Sequence, residues 1–199
     1  MTDPRSATAG GVILGFRPHT YWTAVVALAG PRDAPRVLVR HKLVFASGPE
    51  RSVYHQAAEV AGGEAEALIA RVRVAVETNA RAGVGALIDL LARDGQAPRL
   101  AAAPTGGRKL PALAEIVRVH TLQHAAEGEF YRDAVASACA SLGLEVRRPV
   151  ERELTALTAD GLGVTPAELT ARLKRMGETL GPPWGEDHRL ATLAAWLQL

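Results

Sequence analysis

The sequence predicts an α/β domain. A mixed five-stranded sheet, made of a three-strand antiparallel meander plus two parallel strands, should carry helices on both faces. Three observations predict it. Three short apolar runs fall within the first 46 residues, separated by clusters of Pro, Gly and Asp. The apolar period then lengthens from two to about 3.6 across residues 52–94. From there helix-like and strand-like stretches alternate, the order that feeds parallel strands through crossovers.

The elements follow in chain order. Val12–Phe16, Tyr21–Ala29 and Arg36–Ala46 read as strands one to three, rich in Val, Ile, Leu, Tyr and Trp. Their joins, including the turn cluster "GPRDAP", are too short for a crossover, so the three strands run antiparallel. Next, "EAEALIARVRVAVETNARAGVGALIDLLARDG" places Leu68, Val72, Val76, Leu87, Leu90 and Leu91 at helical spacing. Gly62-Gly63 and Gly83-Val84-Gly85 weaken that helix locally, and Gly95 ends it. "APRLAAAP" reads as strand four and "TGGRK" as a loop. Pro111 opens a helix that runs to Leu142, with Gly143 as its stop. "LEVRRPVERE" reads as strand five. Thr165 as N-cap, Pro166 at the first helical position and Glu168 two further on mark the next helix. "GPPWG" is a rigid turn, and "EDHRLATLAAWLQL" a final apolar helix. Residues 1–10 read as a short flexible leader and residues 11–199 as one domain, a length that suffices for a real core.

Composition narrows the function without fixing it. Hydrophobic residues make up 48% and charged residues 22%, an ordinary globular balance. A net charge of +2 is too mild to demand a nucleic-acid partner, because an electrostatic footprint needs a cluster rather than a total. The single cysteine, Cys139, excludes an intrachain disulfide and a cysteine-rich zinc site, and its small apolar neighbours predict a buried thiol. The N-terminal stretch has no apolar core, and no run approaches 18 apolar residues. The expectation is a soluble, cytoplasmic protein with no membrane partner.

Two stretches carry a resemblance. "LGFRPHTYWTAVVAL" is similar to the first hairpin of the RuvC-type Holliday junction resolvases, within the ribonuclease-H-like superfamily. "ELTARLKRMGETLGPPWGEDHRLATLAAWLQL" resembles their ending: a basic amphipathic helix, a proline loop, acids, then an alanine- and leucine-rich helix. With the order of elements, the resemblance covers roughly residues 11–199. It implies carboxylates holding two divalent metals on a phosphodiester, since hard Mg²⁺ needs oxygen ligands. The first acid should close strand one, where Arg17 stands. The second should close strand four, where "RLAAAPTGG" offers none. The third should open the last helix, where Glu186, Asp187 and His188 are available. The implied acidic site is therefore degenerate. Arg17 is expected near Glu186–His188, paired with Glu186 or Asp187 in place of a metal's charge. Acids in a first helical turn also simply complement the helix dipole.

A second constellation owes nothing to that resemblance. At about 100° per residue, His120, His124, Glu127 and Tyr131 interrupt the apolar face of the helix containing "IVRVHTLQHAAEGEFYRDAV". Arg118, Thr121, Ala125, Glu129 and Arg132 point the other way. Histidines at i and i+4 can share a metal, with Glu127 as third ligand or base. The competing reading is an internal hydrogen-bond network, or a groove or subunit contact lined by this edge. At least three of the four side chains should then be buried.

The remaining candidates are scattered. Arg17, Arg147 and Arg148 could contact phosphates, and Tyr21 and Trp22 could stack on bases. "TGGR" could hold an anion but lacks the Lys-Ser/Thr of a P-loop. His19, His41 and His55 stand isolated, with no role assigned. Two functions follow. One is a non-catalytic ribonuclease-H-like binding or scaffold protein, with a nucleic acid, a protein or a second copy of the chain as partner. The other is a divalent-metal-dependent nuclease or hydrolase with a site relocated to His120, His124 and Glu127. Asp187 and His188 join Glu127 as its catalytic candidates, and only this reading brings a cofactor, Mg²⁺ or Mn²⁺.

Overall fold

The computed structural model describes residues 11–60 and 62–199; the expected leader, residues 1–10, lies outside the described residues. Five strands form one sheet: β1 (Val12–Pro18), β2 (Trp22–Ala29), β3 (Arg36–Val44), β4 (Pro98–Ala102) and β5 (Glu145–Arg147). Their spatial order is β3-β2-β1-β4-β5. β2 runs antiparallel to β1 and β3, while β4 is parallel to both β1 and β5. This is the expected mixed sheet, a three-strand antiparallel meander continued by two parallel strands.

Alternation along the strands sends side chains to two cores. Val12, Leu14 and Phe16 of β1, Val25 and Ala27 of β2, and Ala101 of β4 face one core. It is closed by α1 (Val53–Ala58), α2 (Gly62–Arg93) and α4 (His120–Ser141). Ile13, Leu28, Leu100 and Ala102 face the other. There α5 (Leu154–Gly161), α6 (Pro166–Leu180) and α7 (Glu186–Trp196) close it. The inner strands β1 and β2 are thus buried on both faces, which explains why they read as near-continuous apolar runs, while the edge strands β3 and β5 stay partly exposed. α7 lies directly on β1. A Cβ at Gly15 would fall on the Ala191 carbonyl oxygen and crowd the backbone of Ala195, so only glycine permits that approach.

α6 is capped as its sequence dictates. The Thr165 side chain accepts from the Glu168 amide, and the Glu168 carboxylate accepts from the Thr165 amide at 2.8 Å. Elsewhere the chain is more broken than its periodicity suggests. The helix expected over 52–94 is two, α1 and α2, split before Gly62. The helix expected over 111–142 is also two, α3 (Leu113–Ile116) and α4, split at Val117–Val119. The break is held by Gln123, whose Nε2 donates to the Val117 carbonyl at 2.8 Å. Strand five is only three residues long. Beyond it, Thr105 bridges Val150, and Leu154–Gly161 forms the helix α5. Pro149 has no amide proton, so the regular ladder stops there.

Candidate functional site

The C-terminal ends of β1 and β4 are joined by ions rather than by paired acids. The Arg17 guanidinium reaches the Glu151 carboxylate at 3.3 Å. The other Glu151 oxygen meets Arg132 at 3.3 Å, and Arg132 meets Glu129 at 3.5 Å. Glu129 in turn accepts from the Gly106 amide at 2.6 Å and from the Thr105 hydroxyl at 2.8 Å, in the loop after β4. The anion held by "TGGR" is therefore the protein's own carboxylate. These four charged side chains are 15–20% exposed, so solvent screens them only in part. Glu129 and Arg132 were expected on the solvent side of their helix. The loop after β4 covers that face, and their i,i+3 spacing was the only local sign that they pair.

The expected partnership of Arg17 with Glu186 or Asp187 is corrected: Arg17 takes Glu151. Glu186 is exposed, and Asp187 pairs with His19 at 2.6 Å. His19 lies just beyond β1, stacked on Trp22 at 4.1 Å between ring centres. The end of strand one does meet the start of the last helix, but through the imidazole two residues after Arg17. His188 lies on the next position of α7, stacked against Trp184. Burial and the nearby Arg40 hold its pKa below the ordinary value, with Asp187 opposing them.

The second constellation gathers around α1. His120 and His124 occupy the first turns of α4, and His55 comes to them from α1. The ring centres of His55 lie 5.1 Å from His120 and 4.6 Å from His124, and those two are 4.4 Å apart. Nitrogens of all three rings fall within 4.8 Å of one another. Glu127 stands behind them. One oxygen meets Nδ1 of His55 at 2.7 Å, and the other lies 3.9 Å from Nδ1 of His124. α1 is packed against α4 by Tyr54, whose ring meets Phe130 edge-on at 6.2 Å. Burial raises the Tyr54 pKa, with Arg73 opposing.

This geometry corrects two expectations. Only Glu127 and Tyr131 are buried; His120 and His124 are exposed, because the first turns of α4 bury Leu122, Gln123 and Ala126 and leave the side that carries the two histidines uncovered. Glu127 is not a third member of the nitrogen cluster. It is a buried carboxylate that orients imidazoles, and His55 takes the third place. Nothing in the spacing of "SVYHQAAEV" ties His55 to α4. Glu127 also hangs from the opposite face of the sheet to Asp187 and His188, so these catalytic candidates do not form one site.

The other candidates are engaged with protein charges. Arg147 pairs with Glu145, and Arg148 with Asp133 at 2.9 Å. Tyr21 lies under the Arg51 guanidinium at 4.6 Å, and Trp22 under the Lys42 ammonium at 4.2 Å. Cys139 is buried as expected. No helix among the described residues is long and apolar enough to cross a membrane.

Among solved structures the chain is similar to "T. thermophilus RuvC in complex with Holliday junction substrate". The identity is 15% and the TM-score 0.42, over 94% of this chain and 91% of that one. No family model matches the chain, and no curated protein matches it.

Proposed function

We propose that this chain is a ribonuclease-H-like binding module that does not cut phosphodiesters at the superfamily's usual position, with nucleic acid as its partner. The observation that carries the reading is the chain of ion pairs Arg17–Glu151–Arg132–Glu129 at the ends of β1 and β4. Two guanidiniums and two carboxylates already balance there. A divalent cation entering would meet two fixed positive charges, and the carboxylates are spent on protein donors. The nearby hairpin supplies what a single strand could use. Tyr21 and Arg51 line an open depression there, a ring beside a cation, and such platforms bind bases with little regard to sequence.

The test is paired. Binding to branched and single-stranded DNA and RNA is measured by fluorescence anisotropy, and cleavage of the same substrates is measured with Mg²⁺ or Mn²⁺. The expected result is salt-sensitive binding without cleavage, weakened by Arg51→Ala. Cleavage abolished by Asp187→Asn or Glu127→Gln would overturn it and favour the relocated nuclease or hydrolase.

A further inference from the structure

We propose that His55, His120 and His124 bind one divalent metal ion of the zinc class, with Glu127 as the carboxylate that orients the ligands. The inference stands apart from the function proposed above, because it concerns another face of the sheet and predicts binding rather than cleavage.

Geometry comes first. His120 and His124 share one side of α4 because they are four residues apart, and α1 delivers His55 against them. Zinc–nitrogen bonds of about 2.0–2.1 Å put the nitrogens of a tetrahedral site roughly 3.3 Å apart. Here they lie within 4.8 Å of one another. The difference is within reach of small side-chain torsions, since the His124 side chain is 60% exposed and free to turn.

The orienting group is the second observation. A metal-binding imidazole ordinarily gives its other ring nitrogen to a carboxylate, which fixes the ring and its tautomer. The Glu127 side chain, only 4% exposed, does this to His55 Nδ1 at 2.7 Å and faces His124 Nδ1 with its second oxygen. His55 Nε2 is thereby left for a ligand. A buried carboxylate spanning two of three converging imidazoles is the arrangement such a site requires.

Ligand chemistry selects the metal. Imidazole nitrogen suits zinc and its neighbours in the first transition row, whereas Mg²⁺ demands oxygen. Three protein ligands leave a fourth position, and the exposure of His120 and His124 opens it to water.

The full-length chain, stripped with chelator, is titrated with Zn²⁺ by calorimetry, and with Co²⁺ while its visible absorption is followed. The expected result is one ion per chain, the spectrum of a tetrahedral nitrogen site, and a higher melting temperature with zinc. Millimolar Mg²⁺ should not compete. His124→Ala, on an exposed ring, should fold normally and weaken binding at least 100-fold. Glu127→Gln should weaken it about 10–100-fold. His19→Ala, which removes the imidazole paired with Asp187, should leave binding unchanged. Absence of zinc binding, undiminished affinity in His124→Ala, or equal loss in His19→Ala would each overturn the proposal.

Discussion

The Glu127 carboxylate holds the His55 imidazole at 2.7 Å, joining two residues 72 positions apart. The same oxygen lies 3.4 Å from the His55 amide nitrogen. One nearly buried acid therefore ties the start of α1 to the middle of α4, and the histidine cluster is assembled on that tie.

Removing the tie should cost stability. Glu127→Ala leaves His55 without its acceptor and opens space in a packed region. The expected loss is about 1–3 kcal/mol, the usual penalty for an orphaned partly buried polar group. Urea denaturation followed by circular dichroism measures it. A variant as stable as the parent would show that the contact contributes nothing.

Arg17 should be structural. Arg17→Met leaves Glu151 with Arg132 as its remaining guanidinium partner. Because both side chains keep some exposure, the expected cost is about 1–2 kcal/mol, below that of breaking a fully buried pair. A double-mutant cycle with Glu151→Met isolates the coupling. Zero coupling energy would remove the support that the ion chain gives to the proposed binding module.

Gly15→Ala tests the contact of α7 with β1. The obstacle is the backbone of Ala191 and Ala195, which has no rotamer to change. The expected destabilisation is about 3 kcal/mol or more. Thermal unfolding reports it, and a neutral result would mean that α7 sits further from the strand.

Cys139 supplies a pH dependence. Burial pushes its thiol from the ordinary value of 9.0 up to about 12. Below pH 9 the thiol is protonated whether the chain is folded or not, so it adds no slope. Above that pH the unfolded chain loses the proton first and the folded chain keeps it. Stability should therefore fall as pH rises between about 9 and 12, with the native state binding the extra proton. Cys139→Ala should flatten that slope in denaturation curves taken across the range. The native thiol should also resist a disulfide reagent at pH 8 and react once unfolded.

The sequence by itself determined what depends on neighbouring residues. Short joins between apolar runs forced the antiparallel meander, because no crossover fits in them. Thr165, Pro166 and Glu168 fixed the start of α6, since a cap is satisfied within one turn of helix. That an arginine, Arg17, and not an acid follows Phe16 was equally plain. Only the tertiary structure decided which charges meet. Arg17 took Glu151 rather than the first turn of α7, and His19 took Asp187 from 168 positions away. Glu129 and Arg132, on a face that looked solvent-exposed, were claimed by the loop after β4. His55 looked isolated until α1 was laid beside α4. The physical reason is that periodicity records which way a side chain points along its own element, while its partner is chosen by how elements pack. That packing was set by the two cores, and the histidine cluster follows from where α1 and α4 had to lie to close one of them.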